Sequence, residues 1–347
     1  MFVFRFQLCV LFCLFSWMAR SQSYKNLVFE GAGIRGIAYV GTLKELENRN
    51  VLSQIEKVGG TSAGAIAALC VALGYSSQDI EKIIYETKIQ RFNNGKFFFV
   101  GGIVRTNHNY GWYRGHAFTR WLEEVIESKT HDTNITFQQL HDRGFRDLYI
   151  TGTSLNHQKL IVFSADTYPD MKVKDAVRIS MSIPLYFEPV FIDSTGQILD
   201  KKSAGNSSDV MVDGGLTGNF PIFIFDSTST ENGKPLRVAN LETLGFRIDT
   251  PDQIEYDDKS YGLAPVAITR FNNYVGAFYT YVIENLNRKD LTPLDWQRTV
   301  SISSGNIGPK VRRLSQDEKN LLITNGQMAT RQFLEGKPWK NSKPAGS

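Results

Sequence analysis

Residues 26–74, "NLVFEGAGIRGIAYVGTLKELENRNVLSQIEKVGGTSAGAIAALCVALG", contain the pattern that decides the fold. The apolar run 26–30 predicts a strand that ends in a glycine-rich turn, and apolar residues at helical spacing follow that turn. Residues 55–60 predict a second strand, and residues 62–74 predict a buried helix that Gly74 closes. Strand, helix, strand and helix in this order form a βαβ unit, so we expect an α/β fold in which the two strands are parallel neighbours.

The rest of the chain continues to alternate helices and strands. Apolar spacing predicts helices within "SQDIEKIIYET" (77–87), capped by Ser76 or Ser77, within "AFTRWLEEVIESK" (117–129), and within "VKDAVRISMSIPLYF" before Pro184. Alternating residues at 147–155 and 158–166 predict a hairpin, and "DVMVDGG" (209–215) predicts a strand that ends in an acid and two glycines. Residues 91–115 break the periodicity and predict a long loop or cap over the sheet.

The composition is that of a globular protein with a large core. The chain has 347 residues, of which 42% are hydrophobic and 21% charged, and its formal net charge is +4. This charge is too small to indicate a nucleic-acid partner. No metal or cofactor is expected.

The first residues differ from the rest and predict export. Arg5 precedes an apolar stretch at 6–19, and the small residues Ala19 and Ser21 follow, which is typical of a signal peptide cleaved near Ser21. The alternative is an uncleaved anchor or a buried first helix. Cleavage would leave a net charge of +2 and Cys70 as the single cysteine, which predicts a secreted or periplasmic protein without an internal disulfide. Cys70 itself is expected to pack within its helix.

The pentapeptide "GTSAG" (60–64) contains a candidate nucleophile, Ser62. Gly-x-Ser-x-Gly is the strand-to-helix turn that exposes a serine oxygen above a sheet, and its glycines let strand and helix approach closely. The helix that begins near Ala63 would favour negative charge beside Ser62. The alternative is a serine that only caps this helix.

The turn at 31–36, "GAGIRG", has two interpretations. After a strand and before a helix, G-x-G-x-x-G suggests a dinucleotide site, but the acid expected about 20 residues later is Glu56, which lies at the start of the second strand rather than at its end. The second interpretation uses the parallel pairing, which places this turn beside Ser62. Its backbone amides would then form an oxyanion hole, where Arg35 supports the charge, holds the loop or faces solvent.

A serine nucleophile needs a base, and the histidines do not supply one. All five lie between residues 108 and 157, whereas an α/β-hydrolase triad places its histidine last. Asp213 follows an apolar strand directly and would reach the same edge of the sheet, where burial raises carboxylate basicity. We therefore expect a Ser62–Asp213 dyad, with a turn aspartate as the alternative.

Together these motifs resemble the patatin-like phospholipase family. Its order is a glycine-rich loop, a Gly-x-Ser-x-Gly turn and a distant Asp-Gly-Gly, and "AVRISMSIPLYFEPV" and "DGGLTGNFPI" are also similar. The similarity covers most of residues 26–225 and, more loosely, a stretch from residue 295 to about 335. It implies a three-layer α/β sandwich with a mostly parallel central sheet. Ala32 and Glu30 depart from the family pattern, which usually has glycine and often aspartate there; Ala32 would restrict the loop if it needed a positive φ.

The resemblance also implies the roles of the site residues. Ser62 is the nucleophile and Asp213 its base. The implied oxyanion hole is the loop Gly31, Ala32, Gly33, Ile34, Arg35 and Gly36. The implied nucleophile turn also includes Gly60, Thr61, Ala63 and Gly64, and the Asp-Gly-Gly motif includes Gly214 and Gly215.

The activity implied is release of fatty acid from phospholipid esters through an acyl-enzyme, without a metal and with only transient contact to a membrane surface. The alternatives are a transacylase with the same dyad, a non-catalytic lipid-binding protein, and a nicotinamide or flavin enzyme. Aromatic residues at 97–99, 110, 112, 113 and 121 would line an acyl channel, contact lipid or simply pack. The expected organisation is a signal peptide (1–21), a catalytic region (22–335, core 26–225 and extension 226–335) and a disordered tail (336–347).

Overall fold

A computed structural model describes residues 23–87, 92, 108–203, 205, 208–259, 262–288, 291–309 and 312–337. The strands are β1 Asn26–Phe29, β2 Lys57–Gly60, β3 Gly111–Tyr113, β4 Asp147–Ser154, β5 Lys159–Phe163, β6 Leu185–Phe187, β7 Val190–Ile192, β8 Ile198–Leu199, β9 Asp209–Asp213, β10 Ser227–Glu231, β11 Lys234–Val238, β12 Thr243–Asp249 and β13 Thr299–Ser303. The helices are α1 Ala38–Asn48, α2 Ala63–Ala72, α3 Ser77–Glu86, α4 His116–Thr130, α5 Phe137–Asp142, α6 Val173–Ser180, α7 Gly215–Gly218, α8 Pro251–Asp258, α9 Phe271–Arg288, α10 Pro293–Gln297 and α11 Gln316–Leu334.

The central sheet is mixed and has helices on both sides, which confirms the three-layer α/β architecture. Its order is β13-β12-β1-β2-β4-β9-β7-β8, with β5 on the free side of β4. The five strands β13, β12, β1, β2 and β4 run parallel to one another. Strands β5 and β9 pair antiparallel with β4, and β7 and β8 continue the sheet antiparallel from β9. The predicted parallel pairing of β1 with β2 and the predicted β4–β5 hairpin are both confirmed.

Strands β2 and β9 meet end to end along one edge of β4. Ile150 of β4 pairs with Gly60 on one side and with Phe163 of β5 on the other. Gly152 pairs with Asp213 of β9 and, on the opposite side, with Ile161 of β5. Because β2 runs parallel to β4 and β9 runs antiparallel to it, the carboxyl ends of β2 and β9 converge, and only Thr151 separates the two pairing positions.

Local sequence signals explain most helix boundaries. Ser76 caps α3 through a capping box with Asp79, as predicted. The helix predicted at 117–129 is α4, which extends one residue further at each end, and α6 ends at Ser180, before Pro184. Cys70 is buried in α2 and burial raises its pKa to about 12, which confirms the expected packing role.

The core joins the sheet to a tightly packed helix pair. Helix α11 lies against α1, and a Cβ atom placed on Gly326 would come within 2.0 Å of the Ala38 carbonyl oxygen. This packing ties the end of the described chain to the first βαβ unit. On the opposite side of β1, Val28 packs with Phe220 and Ile222 in a smaller apolar cluster.

Several predictions fall outside the described residues. These are the signal peptide at 1–21, most of the loop at 91–115 with its aromatic residues 97–99, and nearly all of the tail at 336–347. The predicted division into a signal peptide, a catalytic region and a tail stays a prediction. Within the described ranges, no helix combines the length and apolarity needed to cross a membrane.

Candidate active site

The turn between β2 and α2 holds Ser62 in a strained conformation. Its φ is 53° and its ψ is −121°, a region that costs a non-glycine residue about 1–3 kcal/mol. The turn is tight because a Cβ atom on Gly64 would lie 2.3 Å from the Phe29 carbonyl oxygen, so only glycine fits where α2 passes β1. Backbone strain of this kind is typical of functional positions.

Ser62 does not cap α2, so the interpretation as a capping residue is wrong. Its side chain makes no capping hydrogen bond. Its amide donates to Ser180 Oγ at 2.8 Å, and its hydroxyl lies 3.6 Å from Met181 Sδ. A thioether is a weak acceptor, so this contact leaves the Ser62 hydroxyl available to a better one.

A stronger acceptor, the carboxylate of Asp213, lies close enough for the Ser62 hydroxyl to influence its pKa. Asp213 is 6% exposed, as is Ser62. Burial raises the pKa of Asp213 to about 7, and hydrogen bonds from the Gly215 amide and the Ser62 hydroxyl oppose part of that rise. The Gly215 amide donates to Asp213 Oδ1 at 2.7 Å. A carboxylate with this pKa can accept and release a proton near neutral pH.

Backbone and side-chain hydrogen bonds fix the turn that contains Ser62 and the strand end that contains Asp213 to β4. Thr61 Oγ1 lies 2.6 Å from Thr151 Oγ1 and donates to the Gly218 carbonyl at 2.8 Å. Thr153 Oγ1 donates to the Asp213 carbonyl at 3.0 Å, and the Asp213 amide donates to the Ser182 carbonyl at 3.0 Å. The turn after β2 and the turn after β9 are thus bonded to one another and to the strand between them.

The glycine-rich loop lies against the serine, and its amides fall into two groups. A Cβ atom on Gly31 would come within 3.2 Å of Ser62 Cβ. The amide of Gly31 donates to the Asn219 carbonyl at 2.9 Å, that of Ile34 to the Pro309 carbonyl at 3.4 Å, and that of Arg35 to the Ala32 carbonyl at 3.2 Å. Gly36 is the fourth residue of the short 3₁₀ helix Gly33–Ile37, where its amide bonds back to the Gly33 carbonyl. Among the described residues, the amides of Ala32 and Gly33 have no acceptor, which leaves these two as the candidate oxyanion donors.

The loop conformation explains why alanine is tolerated at position 32. Ala32 has a φ of −130°, which alanine adopts without strain, so its methyl group costs the loop nothing. The positive φ, 56°, belongs to Gly33, and a Cβ atom there would lie 2.3 Å from the Pro309 carbonyl. Arg35 Nε donates to the Ala32 carbonyl at 3.2 Å, so this side chain holds the loop.

Asn219 and Glu30 brace the loop, and sequence reasoning missed Asn219. Asn219 Nδ2 donates to the Gly31 carbonyl at 3.0 Å and to Glu30 Oε1 at 3.3 Å. Glu30 also accepts from the Ile248 amide at 3.1 Å and pairs with Arg247 at 3.2 Å. Burial raises the pKa of Glu30 and the Arg247 charge opposes that rise. The only sequence signal for Asn219 was its place four residues after Gly215.

The other candidate residues lie apart from Ser62. The five histidines are all exposed, and His141 and His157 pair with Asp147 and Asp209. Glu56 is exposed and pairs with Lys25 before β2, so it cannot serve a dinucleotide ribose at the strand's end. In the parts of the chain that the structure describes, no group of three or more His, Cys, Asp or Glu could hold a metal ion. A cavity of about 670 Å³ lies elsewhere, between α8, α10, β13 and α11.

The described aromatic residues of the central region mostly pack. Trp121 stacks on Phe118 and donates its indole N–H to Thr87 Oγ1 at 3.0 Å. Tyr113 is buried with its ring 5.0 Å from that of Tyr186. Tyr110 is half exposed beneath the Lys201 ammonium. These contacts favour packing over an acyl channel.

Comparison with known proteins gives a family match and a fold match. The family model for Patatin-like phospholipase matches residues 27–226. An uncharacterized protein of Acanthamoeba polyphaga mimivirus is 33% identical over 203 residues, which cover 58% of this chain and 61% of that protein. A probable lipid hydrolase of Invertebrate iridescent virus 6 is 23% identical over 211 residues, which cover 60% of this chain and 66% of that protein. This chain therefore spans less than two thirds of either relative's length.

One solved structure has the same fold. VipD from Legionella pneumophila superposes with a TM-score of 0.54, covering 90% of this chain and 67% of that chain at 15% identity. At this level of identity the match supports the architecture and nothing finer.

Proposed function

Because the chain belongs to the patatin-like phospholipase family, we propose that it hydrolyses acyl esters of phospholipids with Ser62 as the nucleophile and Asp213 as the base. The observation that carries the proposal is the meeting of β2 and β9 along β4. It brings a strained serine against a buried carboxylate whose pKa is about 7. Asp213 does make the contact expected of a turn aspartate, since it accepts from the Gly215 amide two residues on. That contact does not require the burial of the carboxylate, and a capping serine does not account for the strain at Ser62.

The first half of the reaction forms an acyl-enzyme. Asp213 accepts the proton of Ser62 Oγ while the oxygen attacks the ester carbonyl carbon. The resulting oxyanion is held by the amides of Ala32 and Gly33, and each such donor contributes about 3–4 kcal/mol. Collapse of this intermediate breaks the bond between the carbonyl carbon and the ester oxygen, and the proton on Asp213 passes to the departing alkoxide.

The second half returns the enzyme to its starting state. Asp213 removes a proton from a water molecule, whose oxygen attacks the acyl carbon. The bond to Ser62 Oγ breaks, the proton returns to Ser62, and the fatty acid leaves. An aspartate with a pKa near 7 suits both transfers at neutral pH, because it is ionised when it accepts a proton and acidic enough to give it back.

The experiment is fatty-acid release from mixed phospholipids by the purified chain and its variants. Ser62→Ala and Asp213→Ala should each reduce release by at least about 1,000-fold. Ser229→Ala, on the exposed hairpin β10–β11, is the matched control and should release fatty acid at the wild-type rate. Unchanged release by either site variant would overturn the dyad. Analysis of the products for acylated alcohols or lysolipids separates hydrolysis from acyl transfer, since a transacylase would use the same residues.

A further inference from the structure

Helix α9 and the segment before it expose an apolar surface. Val266, Ile268, Phe271, Tyr274, Phe278 and Tyr281 are each more than half exposed, and we call them the aromatic ridge. At 100° per residue, the four rings occupy about 80° of the helix circumference. Their exposed area is roughly 500 Å², which already reaches the size of the largest apolar patch on an ordinary monomer.

The segment of sequence that contains the ridge has few charged residues. Between residues 262 and 283 the sequence contains one charged residue, Arg270, and no acid. Arg270 is exposed. A surface of phenylalanine and tyrosine without carboxylates is suited to the boundary between lipid headgroups and acyl chains. There the rings leave water, the tyrosine hydroxyls stay hydrated, and a cation is attracted to phosphate.

The other side of α9 is bonded to the candidate active site. The side chain of Asn287 accepts a hydrogen bond from the backbone amide of Asn219 and donates one to the Gly215 carbonyl at 3.0 Å. Asn219 in turn donates to the Gly31 carbonyl. Glu284 pairs with Arg247, which pairs with Glu30 at the start of the glycine-rich loop. The helix that exposes the ridge is therefore fixed to both the Asp-Gly-Gly turn and the glycine-rich loop.

We propose that the aromatic ridge is the surface by which this protein docks on a phospholipid bilayer. The inference rests on the proposed function for its choice of lipid as the partner. The inference extends the proposed function by naming the docking surface, which is separate from the catalytic residues.

Vesicle binding by a catalytically disabled chain tests the docking surface. Full-length Ser62→Ala protein is sedimented with sucrose-loaded phosphatidylcholine vesicles, which the variant should leave intact. Adding Phe271→Ser and Phe278→Ser should weaken partitioning by ~10-fold for each ring removed. Phe271→Trp with Phe278→Trp should retain binding, since tryptophan favours the interface. The matched control is Leu236→Ser with Val238→Ser on the β10–β11 hairpin, which also exposes apolar side chains and should bind normally.

Activity on a soluble ester compared with activity on vesicle phospholipid separates a docking defect from a catalytic defect. With Ser62 restored, the Phe271→Ser/Phe278→Ser variant should cleave a water-soluble short-chain ester at the wild-type rate and vesicle phospholipid at least ~10-fold more slowly. Vesicle binding unaffected by the serine substitutions would overturn the docking proposal, as would equal loss in the hairpin control. A dimer that depends on the ridge, together with unaffected vesicle binding, would instead identify a second copy as the occupant. If Ser62→Ala still releases fatty acid, the proposed function fails while the binding result stands.

Discussion

The carboxyl group of Asp213 should set the pH dependence of the enzyme. The base must be ionised to accept a proton from Ser62, and burial raises the pKa of Asp213 to about 7. We therefore expect kcat/KM for a soluble ester to fall about tenfold for each pH unit below 7 and to level off above it. A pH–rate profile of the free enzyme measures this. A profile that is flat between pH 5 and pH 8 would show that Asp213 is not the base.

The same burial should cost the protein stability. The pKa of Asp213 is raised from an ordinary value of 3.8, so the folded protein holds this proton more tightly than the unfolded chain. The protonated Asp213 carboxyl is compatible with its buried site, so the fold keeps its full stability below about pH 4. That stability is lost as the pH rises through 7, because the carboxyl must then ionise in the folded protein. Asp213→Asn should therefore raise the free energy of unfolding by up to about 4 kcal/mol at pH 8 and by little at pH 4. Urea unfolding at both pH values tests this, and an equal effect at both would contradict it.

The conformation of the glycine-rich loop depends on the positive φ of Gly33. Gly33→Ala would force alanine to a φ of 56° and place its methyl against the Pro309 carbonyl. We expect a loss of activity of ~100-fold, because the amides of Ala32 and Gly33 would move from the oxyanion position. Gly74→Ala is the control, since Gly74 also has a positive φ, 71°, but open space around it. It should cost about 1 kcal/mol of stability and leave activity unchanged.

At the scale of elements, the sequence predicts the first βαβ unit well and the position of the base less well. Apolar periodicity, the glycine turns and the Ser76 cap correctly predict β1, β2, α2 and α3. The sequence also places Asp213 at the end of a strand. That this strand runs antiparallel and meets β2 head-on is not predictable locally, because its direction depends on pairing with β4 residues some 60 positions away.

The bracing residues could not be predicted for a related reason. Asn219 and Ser180 act through hydrogen bonds to Gly31 and Ser62 that are distant in sequence. A single asparagine or serine in a polar or helical context has no pattern that distinguishes it from its neighbours. The residue patterns and the resemblance together predicted the dyad and the loop, while the choice of Ala32 and Gly33 as donors required the backbone conformation.

At the scale of the whole molecule, α11 joins the end of the described chain to the catalytic unit. Gly326→Ala would place a methyl group against the Ala38 carbonyl and push α11 away from α1. We expect it to lower the free energy of unfolding by about 1–3 kcal/mol. Gly276→Ala, in the open on α9, should instead raise it by up to about 1 kcal/mol through helix propensity. Thermal or urea unfolding compares the two, and equal effects would contradict the close packing.

Export through residues 1–21 and disorder of the tail at 336–347 stay predictions, since the first segment and nearly all of the second lie outside the described residues. The sequence predicted few features of the C-terminal extension at 226–335. The structure shows there the aromatic ridge, the Arg247 ion pairs and α11. These features connect the proposed lipid-docking surface with the glycine-rich loop and the core.

Covalent labelling shows whether Ser62 is a nucleophile that Asp213 activates. An alkyl fluorophosphonate reacts with an activated serine, which displaces fluoride and keeps the phosphonyl group. Peptide mass spectrometry should locate that group on Ser62, with a labelling rate that falls as the pH drops below about 7 and is lost in Asp213→Asn. Labelling at another residue, or at an equal rate in Ser62→Ala, would contradict the account.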